Sequence, residues 1–202
     1  MKSFSALPSA LFVLFSAACS PSQGCSSWGE GSTAYVYIDD PHGLFSEEDT
    51  EQIKVVLAEW QGALDDHVVF QFVDGDDVPD SLITFRPDTL ENLQRERDMG
   101  AVTDYTPLAR GGDITLPYDV DSETFRLLTL HETGHALGLD HDGPGTVMVS
   151  GTGFASDSIT CQDVCQFCEV NGGEDDEGNS DCVCAVMPPC SDSDYGHSSS
   201  RG

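Results

Sequence analysis

The chain is decided by one stretch: His131-Glu132-Thr133-Gly134-His135-Ala136-Leu137-Gly138-Leu139-Asp140-His141, with a methionine following at Met148. Residues four apart on a helix share a face, so His131 and His135 can aim two imidazoles at one point. Glu132 stands roughly 100° round the axis from His131. It is placed to hold a metal-bound water and not to serve as a third ligand on that face. Gly138 lets the chain leave the helix through a conformation that glycine adopts cheaply. The turn brings His141 back as a third ligand. Three histidines with an open fourth position describe a catalytic zinc site, not a structural one. A buried helix with satisfied core histidines would explain neither the glutamate nor the third histidine after a glycine.

The rest of the composition bounds what can surround this site. The 202 residues suit one ordinary domain with appendages. Acidic residues number 36 against 8 lysines and arginines, a formal charge of -28. Such a chain repels phosphate backbones, which argues against a nucleic-acid partner. A hydrophobic content of 39% is enough to build a core.

The first residues read as an export signal. Lys2 gives a positive start, residues 6 to 15 are mostly apolar, and Ser16-Ala17-Ala18 are small. The apolar run is too short for a comfortable membrane span. Cys19 follows directly, and Ser16-Ala17-Ala18-Cys19 resembles a bacterial lipobox, although Ser16 stands where a leucine is usual. Lipidation at Cys19 and ordinary cleavage both stay open. Cysteine parity mildly favours the second, because a lipidated Cys19 leaves seven of the eight cysteines to pair. The product is expected outside the cytoplasm, as a secreted protein or an outer-membrane lipoprotein. Membrane contact would come only through the lipid.

Residues 20 to 32 are rich in Ser and Gly and read as a linker, so the folded domain is expected over 33 to 168. Residues 34 to 38 and 68 to 73 are β-branched and aromatic and predict strands. Between them, Ser46 and Asp49 form a capping pattern. Ile53, Val56, Leu57, Trp60 and Leu64 then recur at helical spacing, predicting a helix over about 46 to 64. Further strands are expected over 82 to 85, 100 to 105 and 113 to 116, with a charged helix or loop over 91 to 97. Ser122 is the expected cap of the helix that carries His131 and His135. Asp74-Gly75-Asp76-Asp77 reads as a solvated turn; calcium is the alternative, but the spacing does not match an EF-hand loop. His42, His67 and His197 read as unrelated to the metal. The order predicts an α+β sandwich, a mixed sheet backed by an N-terminal helix and the active-site helix.

The motif and its surroundings resemble the metzincin clan of zinc endopeptidases, most nearly its matrixin-like branch. The likeness rests on His135-Ala136-Leu137-Gly138-Leu139, on Gly112-Asp113-Ile114-Thr115-Leu116 before the helix, and on residues 160 to 167, and it covers roughly 33 to 168. Asp142, after the third histidine, is adamalysin-like, where matrixins carry serine. The resemblance implies a mostly parallel sheet with an antiparallel edge strand. It implies a single catalytic Zn2+ on His131, His135 and His141, with Glu132 as general base. Met148 would be the Met-turn methionine under the histidines. Substrate would be a protein or peptide, extended along the edge strand at residues 100 to 105, with residues 149 to 158 lining a specificity pocket. Ser150 stands where some branches place a tyrosine ligand, which limits the protein ligands to three. No propeptide of the matrixin kind is visible, and Cys25 lacks the surroundings of an inhibitory cysteine. A monomer is expected.

Beyond Phe167 the chain turns acidic and Cys-rich through 169 to 202. Cys161, Cys165 and Cys168 fall at helical spacing and can face Cys182, Cys184 and Cys190. A disulfide-stapled cap is expected, with a second zinc site as the alternative.

Overall fold

The structure, a computed structural model, describes residues 28–74, 81–97, 100–104, 110–150 and 156–171. In chain order the elements are β1 (Ser32–Ile38), α1 (Glu47–Ala63), β2 (Val68–Phe72), β3 (Ser81–Asp88), α2 (Leu90–Arg97), β4 (Val102–Asp104), β5 (Arg110–Pro117), α3 (Ser122–Ala136) and α4 (Cys161–Asn171). The strands form one sheet in the order β2-β1-β3-β5-β4. The first four in that order are mutually parallel, and β4 runs antiparallel to β5. The fold is therefore α+β, a mixed and mostly parallel sheet with an antiparallel edge strand. No helix among the described residues is long and apolar enough to cross a membrane.

Parallel neighbours need a crossover, and α1 supplies the one between β1 and β2. Its start is local chemistry. Ser46 accepts from the Asp49 backbone N–H at 3.1 Å, and the Asp49 carboxylate accepts from the Ser46 N–H at 2.8 Å. Ile53, Val56, Leu57 and Trp60 are buried on one face, as their spacing requires. They meet Val36, Ile83, Phe85, Ile114 and Leu116 from the sheet, and Phe125 and Leu130 from α3, in one core. The Trp60 indole N–H is buried but not orphaned, since it donates to the Leu130 carbonyl at 3.1 Å. That bond ties α1 to the turn of α3 just before His131.

Three expectations need correction. Asp121, not Ser122, caps α3; its carboxylate accepts from the Thr124 N–H at 3.0 Å. That bond holds the Asp121 carboxyl below its usual range. Ser122 is the first helical residue, and its hydroxyl instead donates to Glu48 of α1 at 2.9 Å. Second, the stretch read as linker reaches into the core. Trp28 is buried, its N–H donates to the Asn171 side-chain oxygen at 2.9 Å, and β1 already begins at Ser32. At the other end, α4 continues past 168 to a buried Asn171. Third, β3 and β5 are eight residues each, longer than expected. Each is paired with the other from Ser81↔Arg110 to Asp88↔Pro117.

Cys19 and Cys25, the acids at 76 and 77, the loop at 151 to 155, and the tail cysteines with His197 lie outside the described residues.

Candidate metal centre

α3 carries His131 and His135 one turn apart and ends at Ala136. The way it ends sets the third ligand. Leu137 is the C-cap, and Gly138 follows at φ +93°. The Gly138 N–H bonds the His135 carbonyl at 2.9 Å, and the Leu139 N–H bonds the Gly134 carbonyl at 3.0 Å. This pair of bonds is a Schellman stop, which needs a left-handed residue where glycine stands. The chain then reverses and returns His141 to the other two histidines.

The three rings converge through one kind of atom. His135 Nε2 lies 3.2 Å from His131 Nε2 and 3.2 Å from His141 Nε2. One ligand atom from each residue lies within 4.8 Å of the others, and the group can hold a metal ion. Tetrahedral zinc with nitrogen at about 2.0 Å requires its ligands about 3.3 Å apart. The two separations from His135 Nε2 fit that requirement.

The far side of two rings settles their protonation. His131 Nδ1 lies 2.7 Å from the Val147 carbonyl, and His135 Nδ1 lies 2.8 Å from the Leu139 carbonyl. A carbonyl only accepts, so each Nδ1 carries the proton and each Nε2 presents its lone pair inward. Burial lowers the pKa of His131, against the raising effect of its Val147 bond. Burial, with His131 alongside, lowers His135 to about 4. Both rings are held in the neutral, ligating form.

Glu132 is 4% exposed, and burial pushes its carboxyl up to about 7, with the Thr103 hydrogen bond acting the other way. The Thr103 hydroxyl is 2.7 Å from Glu132 Oε2. Thr103 sits on β4, so the edge strand and the glutamate are in direct contact.

Met148 is fully buried against α3. Gly134 makes room for it: a Cβ built there would stand 2.3 Å from the Met148 sulfur and 3.3 Å from the Trp60 ring. Gly134→Ala should therefore push Met148 out of place. Overpacking costs about 1–3 kcal/mol, and better helix propensity returns at most about 1. The expected result is a lower thermal midpoint for the metal-loaded variant. A midpoint at or above that of the wild type would show that Met148 has room to spare.

Asp142 is half-buried and holds the segment behind the histidines. Its N–H donates to the Met148 carbonyl at 2.8 Å, and its Oδ2 accepts from Gln162 of α4 at 2.6 Å. Asp163, fully buried, accepts from the Thr160 N–H at 2.8 Å and from the Val147 N–H at 3.4 Å. The Val147 peptide thus links α4 to His131. His67 is buried elsewhere, edge-on to Phe167, and His42 is exposed.

The motif reading brought together His131, His135, His141, Glu132 and Met148. It missed Thr103, Gly134, Asp163 and the two carbonyl acceptors. Only Gly134 left a signal, since glycine inside a helix costs about 1 kcal/mol and asks for a packing reason.

The fold and site define an α+β domain with a three-histidine centre able to hold a metal. No family model matches the chain, and no curated protein matches it. Among solved structures it is similar to myroilysin, at 18% identity and a TM-score of 0.41. That match spans 57% of this chain and 52% of the myroilysin chain, about half the length of each.

Proposed function

We propose that this chain is an exported zinc endopeptidase of the metzincin kind. The observation that carries the reading is the convergence of three Nε2 atoms beside the buried carboxyl of Glu132. Bound zinc supplies Lewis acidity, lowering the pKa of water and polarising a carbonyl. His131, His135 and His141 hold the ion. Glu132 takes the proton of the attacking water and delivers it to the nitrogen of the departing amine. Met148 supports the helix turn beneath the ligands.

The substrate is a protein or peptide lying extended along β4. Among the described residues β4 is at the end of the sheet order and pairs with β5, so its other edge is the one a peptide main chain would join. Within that clan the chain is read as matrixin-like, with Asp142 as an adamalysin-like departure that bonds the Met148 carbonyl and Gln162 here. Export, with or without a lipid on Cys19, belongs to the same proposal.

The test is cleavage of a denatured protein by the purified, zinc-loaded chain. Cleavage should stop on chelation and return when zinc is restored. A zinc-loaded chain that binds unfolded protein without cutting it would identify a binding module on the same scaffold.

A further inference from the structure

We propose that Thr103 is a positioning residue for Glu132, engaging one carboxylate oxygen so that the other is left for the reacting water. The inference rests on Glu132 being the base of a peptidase. The geometry is specific. Thr103 Oγ1 lies 2.7 Å from Glu132 Oε2 and 3.0 Å from the Glu132 backbone carbonyl. One hydroxyl proton is shared between the side chain and the main chain of the same residue. A β-branched side chain has few χ1 choices, so the strand largely fixes where this hydroxyl points.

The second observation concerns the other oxygen. Oε1 makes no hydrogen bond among the described residues, yet it is not one of the buried atoms sealed without a partner. Glu132 as a whole is only 4% exposed. The carboxylate is thus divided: Oε2 is held by the protein, and Oε1 is the oxygen within reach of solvent. A base anchored at one oxygen cannot swing, and fixed geometry is where an enzyme recovers much of its barrier.

The third observation is where Thr103 stands. It is the middle residue of β4, paired opposite Ile114 of β5. β4 is the strand proposed to receive the peptide main chain. One hydroxyl therefore fixes the base relative to the strand that fixes the scissile bond. A mere staple between strand and helix would need only the bond to the backbone carbonyl.

The experiment uses the full, zinc-loaded chain with Thr103→Val, Thr103→Ala and Thr103→Ser, beside Glu132→Gln. Thr103→Val keeps the shape and loses the hydroxyl; Thr103→Ala is the second variant should valine not fold. Both should lower kcat by about tenfold to a hundredfold, with KM and zinc content unchanged. Thr103→Ser should return to within about threefold of the wild type. Crystal structures should show the Glu132 carboxylate in one orientation in the wild type and in Thr103→Ser, and in more than one without the hydroxyl. Wild-type kcat in both the valine and alanine variants would overturn the inference. So would a loss that serine does not restore, or an unmoved carboxylate in their structures. Those results leave the peptidase reading intact as long as Glu132→Gln is inactive. If Glu132→Gln keeps full activity with zinc bound, the base assignment fails first and the inference fails with it.

Discussion

Glu132→Gln is expected to lower peptide hydrolysis by about a hundredfold to ten-thousandfold while one zinc remains bound. Glutamine keeps the volume and can still accept from Thr103 Oγ1, so the buried side chain has no reason to leave its site. It cannot take a proton from water at any accessible pH. His131, His135 and His141 are untouched, and their carbonyl partners at Val147 and Leu139 are untouched as well. Metal content and activity should therefore part company in this variant. Rates and zinc stoichiometry measured on one preparation check it. A variant with full zinc and wild-type turnover would remove Glu132 from the chemistry.

His135→Ala is expected to do the opposite and take the metal away. An apparent zinc free energy of about 10–16 kcal/mol spread over four ligands assigns roughly 3 kcal/mol to each, which is about a hundredfold in affinity. His135 is the central ring of the three, within 3.2 Å of both others, so its loss also separates the remaining pair. Metal analysis after dialysis checks it. The pH dependence follows from the same groups. Protons compete with zinc for Nε2, so a ligand releases metal when it is protonated. Burial depresses His131 and holds His135 at about 4. A depressed pKa keeps the ring neutral to lower pH, so these two ligands stay competent below the usual imidazole value of about 6.5. Zinc should be retained through about pH 6 and lost further into acid. Loss of the metal already near neutrality would contradict the burial of these rings.

What the sequence made legible was whatever is local. The Ser46–Asp49 cap, the buried face of α1, and the glycine exit that returns His141 each depend on residues within a few positions of one another. The metal cluster was legible for the same reason, being eleven residues long. The misses are also physical. Asp121 and Ser122 are adjacent good caps, and the choice between them was decided by Glu48 on another helix, which uses the serine hydroxyl. Arg86, Pro87 and Asp88 have no strand signature, but each lies beside a β5 residue that supplies its partner. Trp28 looked like linker because its polar neighbours hid a residue that is buried and whose backbone N–H reaches Asn171, 143 positions away. Thr103 lies 29 residues from Glu132, on a three-residue strand, and nothing local marks it. The carbonyls of Val147 and Leu139 are main-chain atoms and have no residue-type signal at all.

Zinc-edge X-ray absorption on the purified chain tests the central claim most directly. The account predicts one zinc per chain, with three imidazole nitrogens at about 2.0–2.1 Å, one oxygen, and no sulfur. A shell containing sulfur at about 2.3 Å would place the metal on cysteines, and a chain that binds no zinc would leave the three histidines without the task proposed for them.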